Sequence, residues 1–191
     1  MGETQIARDA AGTVHIVYET YDGSASLMPV LRYASCITSC SLAANWQISV
    51  LGRGMRPSLT STPDGRLHLA FADSTFRIRI GQCGPGCLGA TDWTTSLLNQ
   101  VFGFMDVALA ISGDGRQHIA YSTELVWPHG VVRYETCVSQ CQDSLSWRSM
   151  TIDSSFAEDF VALAVDSTGR VAVAHANSNK LQVTTIKLLP K

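Results

Sequence analysis

The hydrophobic positions of this chain recur in short runs on either side of a glycine turn, and the same turn occurs four times. The runs after the turn include His68-Leu69-Ala70-Phe71 and His118-Ile119-Ala120-Tyr121, and Val107-Ala108-Leu109-Ala110-Ile111 precedes one turn. Two apolar runs joined by a turn glycine predict a β-hairpin, because glycine adopts a positive φ without strain. Since nearly every position in these runs is apolar, we expect both faces of the strands to be covered.

The turn glycines define a tandem repeat of about fifty residues. They follow one another at intervals of 50 to 54 residues: Gly12, Gly65, Gly115 and Gly169. In three of the four units a third run comes next, and an arginine lies four residues before a cysteine in each: Arg32, Arg79 and Arg133. Aromatic or β-branched residues alternate with these arginines, which predicts a half-exposed strand whose arginines form a solvated or cross-strand row.

A fourth strand is predicted to begin at a tryptophan six residues beyond the second cysteine of each unit, at Trp46, Trp93 and Trp147. Four antiparallel strands per fifty-residue unit are typical of the blades of a β-propeller. Because so small a unit cannot cover both faces of its own sheet, neighbouring units must stack on it. An all-β sandwich would explain the strands but not the fixed register of glycine, cysteine and tryptophan.

We therefore expect an all-β fold in which residues 1–191 form a single β-propeller domain or part of one. The expected blades are four-stranded and cover about residues 4–52, 53–102, 103–156 and 157–191. Three are complete, whereas the fourth lacks the cysteine pair and the tryptophan and is partial. The sequence thus predicts a ring completed by another copy, by a different chain or by further sequence.

All six cysteines fall into pairs of one spacing, Cys36/Cys40, Cys83/Cys87 and Cys137/Cys141. Each pair lies at the turn between the third and fourth strands, which predicts three local disulfides. Zinc is permitted by the spacing, but three pairs do not divide into four-ligand sites, so we expect neither a metal nor another cofactor. Disulfides imply an oxidising compartment. We expect an extracellular, periplasmic or cell-surface protein, with no signal peptide in this sequence.

Composition and charge narrow the class of partner. The chain carries a formal net charge of −2 and no basic block, which gives no electrostatic reason to expect nucleic acid. Apolar residues make up 46% of the sequence, yet no run approaches the ~18 residues of a membrane span. Nucleophile-elbow, phosphate-loop and zinc-protease motifs are absent from the sequence.

Histidine recurs at one repeat position, as His15, His68 and His118. One interpretation is a ring of metal-binding or catalytic side chains. The simpler interpretation is packing against the neighbouring unit, because Ala172 occupies the same position in the fourth unit.

Candidate binding residues lie where the repeat is broken, since variable loops carry function. The glycine and cysteine turns must share one rim, so the variable connections share the other, at about residues 19–29, 52–56, 73–76, 99–106, 125–130 and 153–159. Trp127 is the one tryptophan outside the repeat register, and His129 is beside it. Further side chains on this rim suit stacking on, and hydrogen bonding to, a sugar or a peptide: Tyr21, Asp22, Phe104, Asp106, Glu158 and Asp159.

The run from Ser112 to Tyr121 resembles the Asp-box repeats of sialidase-like propellers. The chain is still more similar to uncharacterised bacterial secreted repeat proteins, whose blades read His-Ile-Ala-Tyr, Arg-Tyr-x-x-Cys and then Trp. The resemblance implies a propeller and secretion, not an activity. Asp114-Gly115 departs from a true Asp-box, which has one more residue between Asp and Gly. The arginines expected to hold a sialidase substrate are not matched, because those here follow the repeat.

The sequence therefore predicts a non-catalytic binding or assembly module, extracellular or on the cell surface, for a carbohydrate or protein ligand. The alternative is part of a sialidase-like glycoside hydrolase, whose paired carboxylates would include Glu158 and Asp159.

Overall fold

A computed structural model describes residues 2–23, 28–99, 104–126, 129–154, 160–177 and 180–187. The fold is all-β, and the only helices in these ranges are single 3-10 turns at Ala43–Asn45, Ala90–Asp92 and Ser144–Ser146. No helix in the described ranges has the length and apolar character to cross a membrane. The strands are β1 (Thr4–Arg8), β2 (Val14–Thr20), β3 (Val30–Cys36), β4 (Gln47–Ser61), β5 (Leu67–Asp73), β6 (Ile78–Cys83), β7 (Trp93–Asn99), β8 (Phe104–Ile111), β9 (Gln117–Val126), β10 (His129–Cys137), β11 (Arg148–Asp153), β12 (Val161–Val165), β13 (Arg170–Asn177) and β14 (Lys180–Lys187).

The strands form antiparallel sheets in chain order, β1 to β7, β8 to β11 and β12 to β14. β4 takes part in two ladders, because residues 47–53 pair with β3 and residues 54–61 pair mainly with β5. Residues 52–56, predicted as a variable connection, therefore lie inside a strand. The strand is irregular there, with left-handed backbone at Gly52 and Arg56 and a register shift between Met55 and Ser58. The residues of this irregular stretch resemble those of a loop, which explains the prediction.

Three hydrophobic clusters lie between successive repeat units. Val17 and Leu31 of the first unit pack with Leu69 of the second. The second and third units share a cluster, and so do the third and fourth. Strand β5, which has a neighbouring unit on each face, is buried at every position. β1, which has a neighbour on one face only, alternates between exposed and half-buried positions. Stacking thus covers the apolar runs on both faces only in the middle of the chain.

The third strands of the units, β3, β6 and β10, are more buried than the predicted half-exposed pattern. In β3 only Arg32 is half-exposed, and the other six residues are buried, because a fourth strand pairs with the outer edge and a neighbouring unit covers one face. The arginines make cross-strand contacts, as predicted. Arg32 Nε donates to the Thr20 hydroxyl at 3.1 Å, and Arg79 Nε donates to the Asp73 carboxylate at 2.8 Å.

The recurring histidines are buried, and two of them are hydrogen-bonded to a tyrosine of the next strand. His15 Nδ1 lies 2.7 Å from the Tyr33 hydroxyl, and His118 Nδ1 lies 2.6 Å from the Tyr134 hydroxyl. These contacts are within a unit rather than between units, so the histidines hold β2 to β3 and β9 to β10. The group of potential metal ligands found in the described ranges includes none of these histidines.

Disulfides join Cys36 to Cys40, Cys83 to Cys87 and Cys137 to Cys141, which confirms the predicted pairs. In the first and third units the tryptophan indole donates a hydrogen bond of 2.9 Å to the second cysteine's carbonyl. A 3-10 turn precedes this tryptophan in each unit. In these two units the tryptophan therefore closes the cysteine turn, whereas the indole N–H of Trp93 has no such partner. In all three units the disulfide adds a covalent link to the turn.

The four glycine turns also have one geometry. In each, the glycine N–H donates to the carbonyl three residues earlier, at 2.9 to 3.0 Å, and φ lies between 79° and 90°. These values confirm that the recurring glycine is required by the backbone.

We expect Gly115→Ala to lower the free energy of unfolding by about 1 kcal/mol, because an L residue is strained at this left-handed φ. Gly113→Ala is the matched control, since Gly113 lies in the same turn without a positive φ and a Cβ there meets no atom within 4 Å. The control is expected to stay within about 0.5 kcal/mol of the parent. Urea unfolding of the oxidised protein measures both, and equal losses would contradict the assignment.

Candidate functional site

The first strands of the units converge on a cavity of about 410 Å³. β1, β4, β8 and β12 each contribute to its wall, and Glu3, Gln5 and Asp106 are among its polar side chains. The cavity lies where the inner edges of the stacked sheets meet. Polar residues at the ends of these strands are therefore brought together from distant parts of the chain.

Four residues that border or adjoin this cavity occupy one repeat position, nine residues before the turn glycines. They are Glu3, Arg56, Asp106 and Phe160. Each lies within two residues of the start of the inner ladder of its unit. We call these four residues, together with Glu19, the axial cluster. The repeat position carries two acids, a base and an aromatic ring, so it is chemically variable where the turn positions are constant.

Arg56 has a left-handed backbone, with φ of 55°. A residue with a Cβ pays a conformational cost there, and such strain is kept where the surroundings hold it in place. The Glu19 carboxylate supplies this constraint, because it accepts the Arg56 backbone N–H at 2.6 Å and the Glu3 backbone N–H at 3.1 Å. Glu19 thus fixes Arg56 and Glu3 relative to each other.

The Arg56 side chain lies among partners of two kinds. Its Nη1 donates to the Glu3 carboxylate at 2.6 Å, and its guanidinium carbon lies 5.8 Å from the centre of the Phe160 ring. Both ion-pair side chains remain partly accessible to solvent, and Phe160 is 63% exposed. The cluster therefore presents charged donors and acceptors next to an open aromatic face.

Asp106 is half-buried, like Glu3, Glu19 and Arg56, and its carboxylate is held by backbone groups. Its two carboxylate oxygens accept the backbone N–H groups of Val107 and Val161, both at 2.9 Å, so it links β8 to β12. Burial raises the pKa of Asp106 to about 6, and the nearby carboxylate of Glu3 adds to the rise. A buried acid with a raised pKa is a feature of many functional sites and also of some structural ones.

Of the binding residues predicted from sequence, Asp106 borders the axial cavity. Tyr21 is exposed beyond the end of β2, and Asp22 forms an ion pair of 2.7 Å with Arg53. The other predictions concern residues whose side chains or whole placement lie outside the described part of the chain: Phe104 and His129, which begin β8 and β10, and Trp127, Glu158 and Asp159.

Sequence reasoning singled out none of Glu3, Glu19, Arg56 and Phe160, although Glu19 and Arg56 lie in the predicted variable connections 19–29 and 52–56. Glu3, Arg56 and Phe160 occupy the same repeat position as Asp106, nine residues before the turn glycine. An alignment of the units on that glycine would have identified them. Glu19 carries no repeat signal, because its role depends on the left-handed backbone of Arg56.

Metal binding finds no support in the described ranges. The group of potential ligands found there comprises Cys83, Cys87 and Asp92. Its two sulfur atoms form a disulfide, so they are not the thiolates that a metal site needs.

No protein-family model matches this chain, and no curated protein matches its sequence. Solved structures do match in fold. A protein of unknown function from Dyadobacter fermentans is 13% identical, with a TM-score of 0.65 over 91% of this chain and 49% of its own. A Hadza microbial sialidase is 9% identical, with a TM-score of 0.61 over 96% and 43%.

A third match is the Aleuria aurantia lectin in complex with alpha-methyl-L-fucoside, at 13% identity and a TM-score of 0.56 over 91% of this chain and 52% of the lectin. These similarities establish an all-β, propeller-like fold. The chain spans about half the length of these structures.

The pKa of Asp106 generates a test of the axial geometry. The folded protein holds this proton more tightly than the unfolded chain, whose reference pKa is 3.8. The contribution of Asp106 to the free energy of unfolding therefore falls as the pH rises from about 4 to about 6. Asn does not titrate, so the stability of Asp106→Asn relative to the parent is expected to increase over this range by roughly 2 kcal/mol.

Asp166→Asn serves as the control. Hydrogen bonds from Thr168 and Arg170 lower the pKa of Asp166, so its titration changes stability only below about pH 4. Urea unfolding at a series of pH values measures both differences. A flat difference for Asp106→Asn between pH 4 and pH 7 would show that the Asp106 carboxyl is not perturbed by burial.

Proposed function

We propose that this chain is a non-catalytic carbohydrate-binding module that takes its ligand at the axial cluster. The observation that carries the proposal is one variable repeat position. It places Glu3 and Asp106 on the wall of the axial cavity, and Arg56 and Phe160 beside it through contacts with Glu3 and with each other. Loops and the residues at strand ends tolerate variation and carry function more often than the residues that pack the core. The fold similarity to a fucoside-bound lectin and to a sialidase supports carbohydrate as the ligand class.

The chemistry of the cluster suits a sugar. Arg56 supplies several donors in a fixed plane, and the carboxylate of Glu3 accepts hydrogen bonds from hydroxyl groups. Phe160 offers an exposed ring for the apolar face of a pyranose. Because Glu19 holds the Arg56 backbone, the guanidinium is positioned before the ligand arrives, which lowers the entropic cost of binding.

The second candidate function is glycoside hydrolysis, and one observation favours it. Asp106 has a raised pKa close to a second carboxylate, Glu3, as expected for a general acid. Against this role, both oxygens of Asp106 already accept backbone N–H groups. This arrangement supports a structural link between β8 and β12, so binding without turnover is the preferred proposal.

We further propose that the sheets are propeller blades, three of four strands and one of three in this chain, and that the protein works outside the cytosol. The pairing of β4 with different strands over its two halves supports the first point. The three disulfides support the second, because such bonds persist in oxidising compartments.

The partner that we propose for the ring is a second copy of the chain. Ile6 and Val50 are exposed on the face of the first unit that points away from the second unit. Their chain neighbours Ala7 and Leu51 point the other way, into the cluster that the two units share. The sheet face of the fourth unit that points away from the third combines exposed Leu181 and Val183 with small side chains, among them Ala162, Ala164, Ala172 and Ala174. The large side chains of the first unit are thus complementary in size to the alanines of the fourth unit, and Leu181 and Val183 make that face more apolar.

Two copies related by a twofold axis would join each first unit to the partner's fourth unit. The matched solved structures are about twice as long as this chain, which supports closure by two copies. A contiguous apolar sheet face left open to water is uncommon in a soluble protein.

Ligand binding is tested by a glycan array, followed by calorimetry on any glycan retained. Arg56→Gly is the sharpest variant, because glycine accepts the left-handed backbone while losing the guanidinium. We expect it to weaken binding at least about tenfold. Ser39→Gly is the matched control, since Ser39 has a left-handed φ of 53° in a cysteine turn of the opposite rim, and it should bind like the parent.

Binding that survives Arg56→Gly would remove the axial cluster as the site. Hydrolysis of the bound glycan, abolished by Asp106→Asn, would replace the binding module with the glycoside hydrolase.

Ring closure is tested by sedimentation equilibrium. The parent is expected to have twice the chain mass of 20.6 kDa, and Leu181→Arg to have the mass of one chain, because the charge would be buried between the copies. Leu145→Arg is the matched control, since Leu145 is 90% exposed in a 3-10 turn rather than on the sheet face. A parent that remains a single chain at all concentrations would refute the proposal.

A further inference from the structure

A second cavity, of about 580 Å³, lies on the opposite rim, between the turns of the second and third units. This volume is typical of small-molecule sites, which span about 300 to 1,000 Å³. Residues of two glycine turns and of the third unit's cysteine turn form much of the wall, and the polar residues His68, Gln82, Gln117 and Gln142 also line it. We call it the turn cavity. It shares no lining residue with the axial cavity.

Two polar atoms of side chains that line the turn cavity are buried without a hydrogen-bond partner in the described structure. They are Nδ1 of His68 and Oε1 of Gln142. His68 is only 5% exposed, so bulk water does not compensate for the missing partner. A buried polar atom that lacks a partner destabilises the fold. Because both side chains line the same cavity, a single bound ligand is able to supply both hydrogen bonds.

The repeat explains why His68 is unpaired. In the first and third units the equivalent histidine is hydrogen-bonded to Tyr33 or Tyr134. In the second unit Ile80 occupies the tyrosine position and packs in the cluster between the second and third units. The histidine is therefore kept in the one complete unit where its partner has been replaced by an aliphatic residue.

The charges around the turn cavity are balanced. Asp64 forms an ion pair of 2.9 Å with Arg66, and Asp114 and Arg116 approach to 3.7 Å. Burial lowers the pKa of His68, so its ring is neutral at neutral pH. A neutral imidazole with paired carboxylates nearby does not favour an ion of either sign.

We propose that the turn cavity binds a neutral polyhydroxylated ligand, a mono- or disaccharide, at a site separate from the axial cluster. A hydroxyl group both donates and accepts, so one can donate to Gln142 Oε1 and another can pair with His68 Nδ1 in either tautomer. The amides of Gln82 and Gln117 offer further donors and acceptors. This inference does not depend on sugar binding at the axial cluster, because different residues form the two sites.

The test is an NMR titration of the full chain that follows the imidazole signals, with His68 assigned by comparison with His68→Gln. The probes are glucose, galactose, fucose, N-acetylglucosamine and lactose, each tested alone, with sodium sulfate as an ionic comparison. We expect at least one sugar to shift the His68 signals in a saturable way while His15 and His118 stay unchanged. Sulfate should leave all three unchanged.

Two variants separate recognition from folding. Ile80→Tyr restores the histidine–tyrosine pair of the other units, and Gln142→Met removes the unpaired oxygen without a large change in shape. Each is expected to weaken the sugar about tenfold or more. Gln47→Met, on an exposed position of β4, is the matched control and should not change the affinity.

Absence of a saturable His68 shift with every sugar would overturn the proposal, as would equal affinity in the parent and Gln142→Met. Arg56→Gly distinguishes the two sites. A His68 response that persists in this variant supports the turn cavity whatever happens at the axial cluster, and a response lost in it would assign the sugar to the axial cluster instead.

Discussion

Burial of apolar sheet faces against neighbouring repeat units is the constraint on which this structure depends. A sheet of three or four short strands cannot cover its own faces, so each must stack on its neighbours through the three clusters between successive units. The burial of β5 at every position and the alternation of β1 follow directly from the number of neighbours that each has. The recurring turn glycines, disulfides and tryptophans complete each unit, but stacking decides which side chains are covered.

Stacking also creates the axial cluster. Sheets that pack face to face bring their first strands together, so one repeat position from each unit arrives at or beside the same cavity. At that position the chain has Glu3, Arg56, Asp106 and Phe160. Glu19 then fixes the ion pair through backbone hydrogen bonds. The cost of the left-handed Arg56 is offset by these contacts, which is consistent with a residue kept for its side chain.

What the sequence predicts well is local and periodic. The Gly115 turn, the Cys137–Cys141 link and the strands around them each depend on residues close in the chain. The continuity of β4 was not predictable, because glycine and proline are typical of loops, and Gly52 and Pro57 both lie within this strand. The candidate site was not predictable either, because Arg56 is positioned by contacts with Glu19 and Glu3, which lie 37 and 53 residues away in the chain. Periodicity identifies the axial position, but only stacking shows that its members meet.

A candidate site lies on each of the two rims of the molecule, and both sites have the same origin in the repeat. Each candidate site arises where a repeat position departs from uniformity: the axial position on one rim, and the replacement of tyrosine by Ile80 on the other. The turn cavity is formed by two units of one chain, so its affinity is a property of the single chain. The axial cluster takes one residue from every unit, so a ring closed by a second copy would add a second set of these residues around the same axis. Ring closure would therefore change ligand affinity at the axial cluster and leave the turn cavity as it is.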